Sequence, residues 1–186
     1  MNMFYFLRHA ETRWDRTTPS AKWFLSERGK RDASQLASSG IFDYIDIIIT
    51  SCEDKALQTA LPIAERLGKE ITSLMELNDL YKGESVLEED KYFETIELCL
   101  KNPRESFNGW ESASHALERF SRKIDEIDSA YNDKNILIVS HGCVLNLYFA
   151  RASEKMNEVY ERWRVTPFCA RGIIKNGKVV KDIMGE

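Results

Sequence analysis

Short apolar runs that close on polar loops alternate along this chain with stretches whose apolar positions recur at helical spacing. Met3 to Leu7 is an aromatic and aliphatic run of strand length that stops at Arg8-His9-Ala10-Glu11-Thr12. No steady period follows from Arg13 to Phe24. Ser26-Glu27-Arg28-Gly29, with Ala33, Leu36 and Ala37 after it, predicts a capped helix ending near Ser39-Gly40. Ile45 to Thr50 reads as a second buried strand, Ala56 to Leu67 as a helix closed by Gly68, and Glu70 to Leu74 as a short third strand.

The pattern weakens from Met75 to Gly109, an insertion-like or lid-like stretch (75–110) in which Tyr92, Phe93, Ile96 and Leu100 still mark an amphipathic helix. Ala116, Leu117, Phe120, Ile124 and Ile127 predict a longer helix over Ser112 to Tyr131. Asn135 to Ser140 is the clearest remaining buried strand, and it runs into His141-Gly142 and a helix through Val144, Leu147 and Tyr148. Asn176-Gly177 between Ile173-Ile174-Lys175 and Val179-Val180 predicts a hairpin, because that dipeptide tolerates the positive φ of a type I′ turn. The alternation of strand and helix predicts an α/β fold: a three-layer α/β/α domain with a mostly parallel central sheet. The 186 residues, 43% of them hydrophobic, suit one domain over 1–186 with a single sizeable core.

A formal net charge of -4 gives no bulk attraction for nucleic acid or an anionic membrane, so any anion site must be a local cluster of cations. Cys52, Cys99, Cys143 and Cys169 form no ligand-spaced pair, which argues against a disulfide framework or a zinc site and for reduced thiols. The run before Arg8 is too short for a signal peptide or a span, so a cytoplasmic protein is expected. Oligomeric state is not legible.

Two of the three histidines, His9 and His141, directly follow the two clearest strands. Ligands of open α/β sheets bind beyond the carboxyl ends of strands, so neighbouring strands would bring both rings to one pocket. A neutral imidazole is a competent nucleophile near neutral pH, and a covalent phosphohistidine divides one difficult displacement into two easier ones. A transferring phosphoryl group needs fixed cations and donors at its oxygens, a duty that Arg8 and His141 fit.

In the same order along the chain stand Arg8-His9-Ala10-Glu11, Leu25-Ser26-Glu27-Arg28-Gly29, Ser51-Cys52-Glu53-Asp54-Lys55-Ala56-Leu57-Gln58-Thr59-Ala60, Trp110-Glu111-Ser112 with Arg119, and Val139-Ser140-His141-Gly142. That series resembles the landmarks of the histidine phosphatase superfamily, also called phosphoglycerate mutase-like. The resemblance implies a phosphomonoester hydrolase in which His9 is the nucleophile and His141 a cation or N–H donor. It also implies an arginine in the phosphate cradle where this chain has Lys55, which keeps the charge but loses the planar two-pronged fork. The family's proton donor lies in a Leu-x-Glu element after the third strand. Leu74-Met75-Glu76 is the match, making Glu76 the candidate and Glu84 the alternative; Asp79, Glu88 and Glu89 complete an acidic stretch that also reads as surface. Thr12 and Ser51 are candidate hydroxyl donors to phosphate or solvated loop residues. Glu11 is expected to orient the loop rather than react.

Trp14, Trp23, Trp110 and Trp163 read as packing residues, and neither metal nor organic cofactor is expected. The expected substrate is a phosphorylated small molecule or a phosphoprotein. Two other readings stand beside hydrolysis: mutase-type transfer on a phosphoglycerate, and a catalytically weak phosphate-ligand or protein-binding module, the latter motivated by Lys55.

Overall fold

The computed structural model describes residues 1–84 and 86–184. Among these, six strands form one sheet in the order β3-β2-β4-β1-β5-β6: β1 Met3–Arg8, β2 Ile47–Ser51, β3 Ile71–Leu74, β4 Asn135–Ser140, β5 Arg171–Lys175 and β6 Lys178–Lys181. The first four are mutually parallel, and the C-terminal hairpin of β5 and β6 adds antiparallel to β1. Asn176 and Gly177 both take positive φ, 53° and 69°, as the hairpin reading required. "Mostly parallel" therefore holds for the centre of the sheet and not for its C-terminal edge.

Helices cover both faces. α1 (Glu27–Ser38) and α2 (Asp54–Leu67) pack over Leu7, Ile48, Leu137 and Val139. The opposite face, with Phe4, Phe6, Ile136 and Ile138 at its centre, is covered by α3 (Glu89–Lys101), α4 (Ala113–Ala130), α5 (Gly142–Ala152) and α6 (Val159–Val165). Successive β-strand residues point to opposite faces, so β1 and β4 must be apolar on both, and that is why they stand out in the sequence. The short α6 was not foreseen. No helix among the described residues is long and apolar enough to cross a membrane.

Two details of the fold set the site. β1 and β4 are adjacent and in register, Arg8 opposite Ser140, so the residues that follow them, His9 and His141, leave the sheet side by side. α1 is capped by Ser26, whose hydroxyl accepts from Gly29 N at 3.0 Å. A Cβ on Gly29 would lie 2.1 Å from the carbonyl oxygen of Glu11, so glycine lets the helix press onto the loop that carries His9. Gly29→Ala is expected to destabilise the fold by roughly 1–3 kcal/mol through overpacking, measured by denaturant unfolding, and to lower activity by displacing that loop.

Candidate active site

The loop after β1 is tightly held. His9 N donates to Ser140 O at 2.9 Å, Ala10 N donates to Thr59 Oγ1 at 3.0 Å, and Cys169 N donates to His9 O at 3.3 Å. His9 Nδ1 lies 2.8 Å from the carbonyl oxygen of Ala10, an obligate acceptor. Nδ1 must therefore carry the proton, which leaves the lone pair of a neutral ring on Nε2. Burial first, then the charges of His141, Lys55 and Arg8, push the His9 ring well below its ordinary value.

The His141 ring centroid is 5.2 Å from that of His9. Its Nε2 is 2.6 Å from Ser51 Oγ and 3.6 Å from Glu53 Oε1, and its Nδ1 is buried without a hydrogen-bond partner. Arg8 shows the same division: Nη1 donates to Thr166 O, while Nε is buried and unpaired.

Arg8, His9, Thr12 and Lys55 line one pocket of about 170 Å³, together with Asp79 and Lys82, which the sequence reading did not assign to the site. Lys55 is buried against Glu53 and donates to Ser20 O at 2.7 Å. Asp79 is likewise buried, paired with Lys82, and its Oδ1 accepts from Val144 N, near the start of α5, at 3.3 Å. Burial alone would raise the Asp79 carboxyl; the Lys82 ammonium, with His141 and Lys55, more than reverses this and holds it far below the usual range.

Three sequence candidates lie elsewhere. Glu76 is bridged to Lys123 at 3.1 Å, is not part of the pocket lining, and is held ionised chiefly by its own backbone N–H and by Lys123. Glu84 pairs with Lys22 at 3.2 Å on the surface. Ser51 spends its hydroxyl on His141, behind the cradle rather than in it. Glu11 accepts from Ser26 Oγ at 2.7 Å and so ties its loop to the α1 cap. Three of the four tryptophans, Trp14, Trp23 and Trp163, line the pocket; Trp110 is core.

A single arginine fixes the segment that carries Asp79. Arg119 donates to the carbonyls of Glu76, Asn78 and Asp79 at 2.8, 2.9 and 2.6 Å and pairs with Glu111, whose Oε2 accepts from Tyr81 N at 3.0 Å. Arg119→Ala removes all three carbonyl anchors. The expected loss in kcat is about 10²-fold, since small misplacements of a reacting group carry that penalty. Steady-state kinetics on the folded variant measure it.

The Histidine phosphatase superfamily (branch 1) matches residues 4–177. The chain belongs to that superfamily. Phosphoserine phosphatase 1 of Hydrogenobacter thermophilus is 28% identical over 147 residues, 73% of this chain and 68% of the relative. A mycobacterial glucosyl-3-phosphoglycerate phosphatase superposes with a TM-score of 0.79 at 15% identity, covering 97% of each chain. YhfR of Bacillus stearothermophilus gives 0.78 at 20% identity, covering 97% of this chain and 95% of that one. These two structures establish the common fold.

The family and this relative make the chain a phosphatase. Two buried ion pairs stand at its pocket. Lys55 is buried in a pair with Glu53, and the pocket carboxylate, Asp79, has its own buried lysine.

Proposed function

We propose that this phosphatase hydrolyses small phosphomonoesters through a phosphohistidine on His9, with Asp79 moving the protons and Arg8, Lys55 and His141 holding the phosphoryl group. The observation that carries the assignment is the pair of buried nitrogens left without partners beside His9: Arg8 Nε, and His141 Nδ1, which carries the ring proton when the Ser51 hydroxyl donates to Nε2. A buried donor without a partner is costly, and phosphoryl oxygens in the pocket would satisfy both.

In the first half-reaction the Nε2 lone pair of His9 attacks phosphorus, a P–N bond forms, and the P–O bond to the leaving alcohol breaks. The departing oxygen takes a proton through Asp79, whose ionised carboxylate receives it from the substrate monoanion. In the second, a water gives a proton to Asp79 as its oxygen bonds phosphorus, the P–N bond breaks, and inorganic phosphate leaves with His9 neutral again.

Charge developing on the equatorial oxygens is met by Arg8, Lys55 and the His141 N–H. These side chains supply the positive charge that some phosphatases take from a metal ion, so no metal is needed in this scheme. Ser51 and Glu53 serve by fixing His141 and Lys55 rather than by touching phosphate. The protein is proposed to act in the cytoplasm.

The test is release of inorganic phosphate from p-nitrophenyl phosphate in the presence of EDTA. Turnover undiminished by EDTA is expected. A strict requirement for added divalent cation would overturn the metal-free scheme. An isomerised phosphoglycerate accumulating without phosphate release would overturn water as the acceptor.

A further inference from the structure

Beyond the phosphate cradle the pocket wall is made of six aromatic rings: Trp14, Trp23, Tyr92, Phe93, Trp163 and Phe168. They come from separate parts of the chain yet form a chain of contacts. Trp14 lies 4.5 Å from Trp23, 5.2 Å from Tyr92 and 5.8 Å from Phe93, and Phe93 lies 6.2 Å from Trp163. Phe168 sits 5.6 Å from the His9 ring, so the aromatic surface reaches the nucleophile itself. Phe93 and Phe168 are 41% and 38% exposed, so core packing does not account for them. From these contacts we infer that the substrate is a small phosphomonoester whose leaving group carries a flat unsaturated ring, stacked on this wall; the inference rests on the hydrolase reading above.

The distribution of charged groups in the pocket favours a neutral ring over the obvious competitors. A leaving group like that of phosphoserine brings a carboxylate and an ammonium, and each needs a partner once it leaves water. Of the pocket's cations, Arg8 and Lys55 serve the phosphoryl group in the reading above and Lys82 is paired with Asp79, so none is left for a second anion. The Trp23 N–H is spent on the carbonyls of Asp15 and Thr18 at 3.1 Å each.

A cationic leaving group is no better served. Arg8 already lies over Phe168 at 4.5 Å and Lys82 over Tyr92 at 5.7 Å, so two of the rings that could attract an ammonium hold cations of their own. What the wall offers is stacking surface for a neutral ring. With the phosphoryl group at the buried end, a ring would occupy the remainder and emerge between Phe93 and Phe168.

The test compares 2-phenylethyl phosphate with butyl phosphate. Both release primary alcohols of similar basicity, so leaving-group chemistry cancels. O-phosphoserine, a phosphotyrosyl peptide and p-nitrophenyl phosphate complete the set. A kcat/KM advantage of about ten- to hundredfold for 2-phenylethyl over butyl phosphate is expected, the scale of one ring stacked on aromatic side chains. Phe93→Ala, a substitution at an exposed position, should shrink that ratio, and Trp163→Ala should do the same independently. Equal rates for the two esters, or a preference for O-phosphoserine, would overturn the inference and leave the hydrolase reading standing. A preference of more than tenfold for the peptide would overturn the small-molecule assignment. Absence of turnover on every substrate by folded protein would remove the hydrolase reading, and this inference with it.

Discussion

His9→Ala is expected to lower kcat by at least about 10⁴-fold, the order of effect seen when a covalent nucleophile is removed from a site whose other parts stay intact. No neighbour can take over. His141 is wholly buried with its Nε2 held by Ser51, and the nearby thiol of Cys143 is pushed far up by burial and stays protonated. Rapid quenching with a ³²P-labelled ester should trap label on the wild-type protein, stable in alkali and lost in acid, and none on the variant. Label on the variant, or activity within tenfold of wild type, would show that the covalent step lies elsewhere. The pH dependence adds a second check. Burial and the charges around it keep the His9 ring neutral in mildly acidic solution, so kcat/KM should not fall on the acid side near the free-histidine value of about 6.5 but at lower pH.

Those parts of the site that follow directly from strand position were legible in the sequence. β1 and β4 are apolar on both faces, and their polar successors place His9, Arg8 and His141 at one end of the sheet. Residues whose place depends on distant anchors were not legible in this way. After β3 two consecutive elements, Leu74-Met75-Glu76 and Leu77-Asn78-Asp79, both read as leucine followed two residues later by an acid. The structure separates them by burial: Leu77 is fully buried and Met75 is 71% exposed, so the second register turns its carboxylate inward. What sets that register is Arg119, some forty residues further on, together with the hydroxyl of Ser140, which donates to Leu77 O at 2.7 Å. The aromatic wall was missed for a related reason. Its rings have no common spacing because they converge from α3, α6 and two loops, and periodicity reports only what lies along one element.

Asp79→Asn should lower kcat by about 10²–10⁴-fold on alkyl phosphates, the usual contribution of a positioned acid and base. The loss should be much smaller on p-nitrophenyl phosphate, whose leaving anion departs without a proton. Equal losses on the two classes would mean that Asp79 shapes the pocket without transferring protons.

Lys82 determines when that acid is available. In the free enzyme its ammonium keeps Asp79 ionised, so the proton for the leaving oxygen must arrive with the substrate as the monoanion, whose remaining proton has a pKa of about 6. For alkyl esters kcat/KM should therefore decline as pH rises above roughly 6. Lys82→Met removes the cation that favours the carboxylate; the Asp79 pKa rises, a larger fraction is protonated at any given pH, and the decline begins later. With that cation gone burial is the dominant influence on Asp79, and the limb is expected to move toward alkali as the carboxyl is lifted past the substrate's own value of about 6. The height of the profile can also fall in this variant, because Lys82 lines the pocket; the position of the limb is what reports on Asp79. A limb that stays where it is in Lys82→Met, while Asp79→Asn still selectively impairs alkyl esters, would mean that the phosphate in the bound complex, and not the lysine, governs the carboxyl.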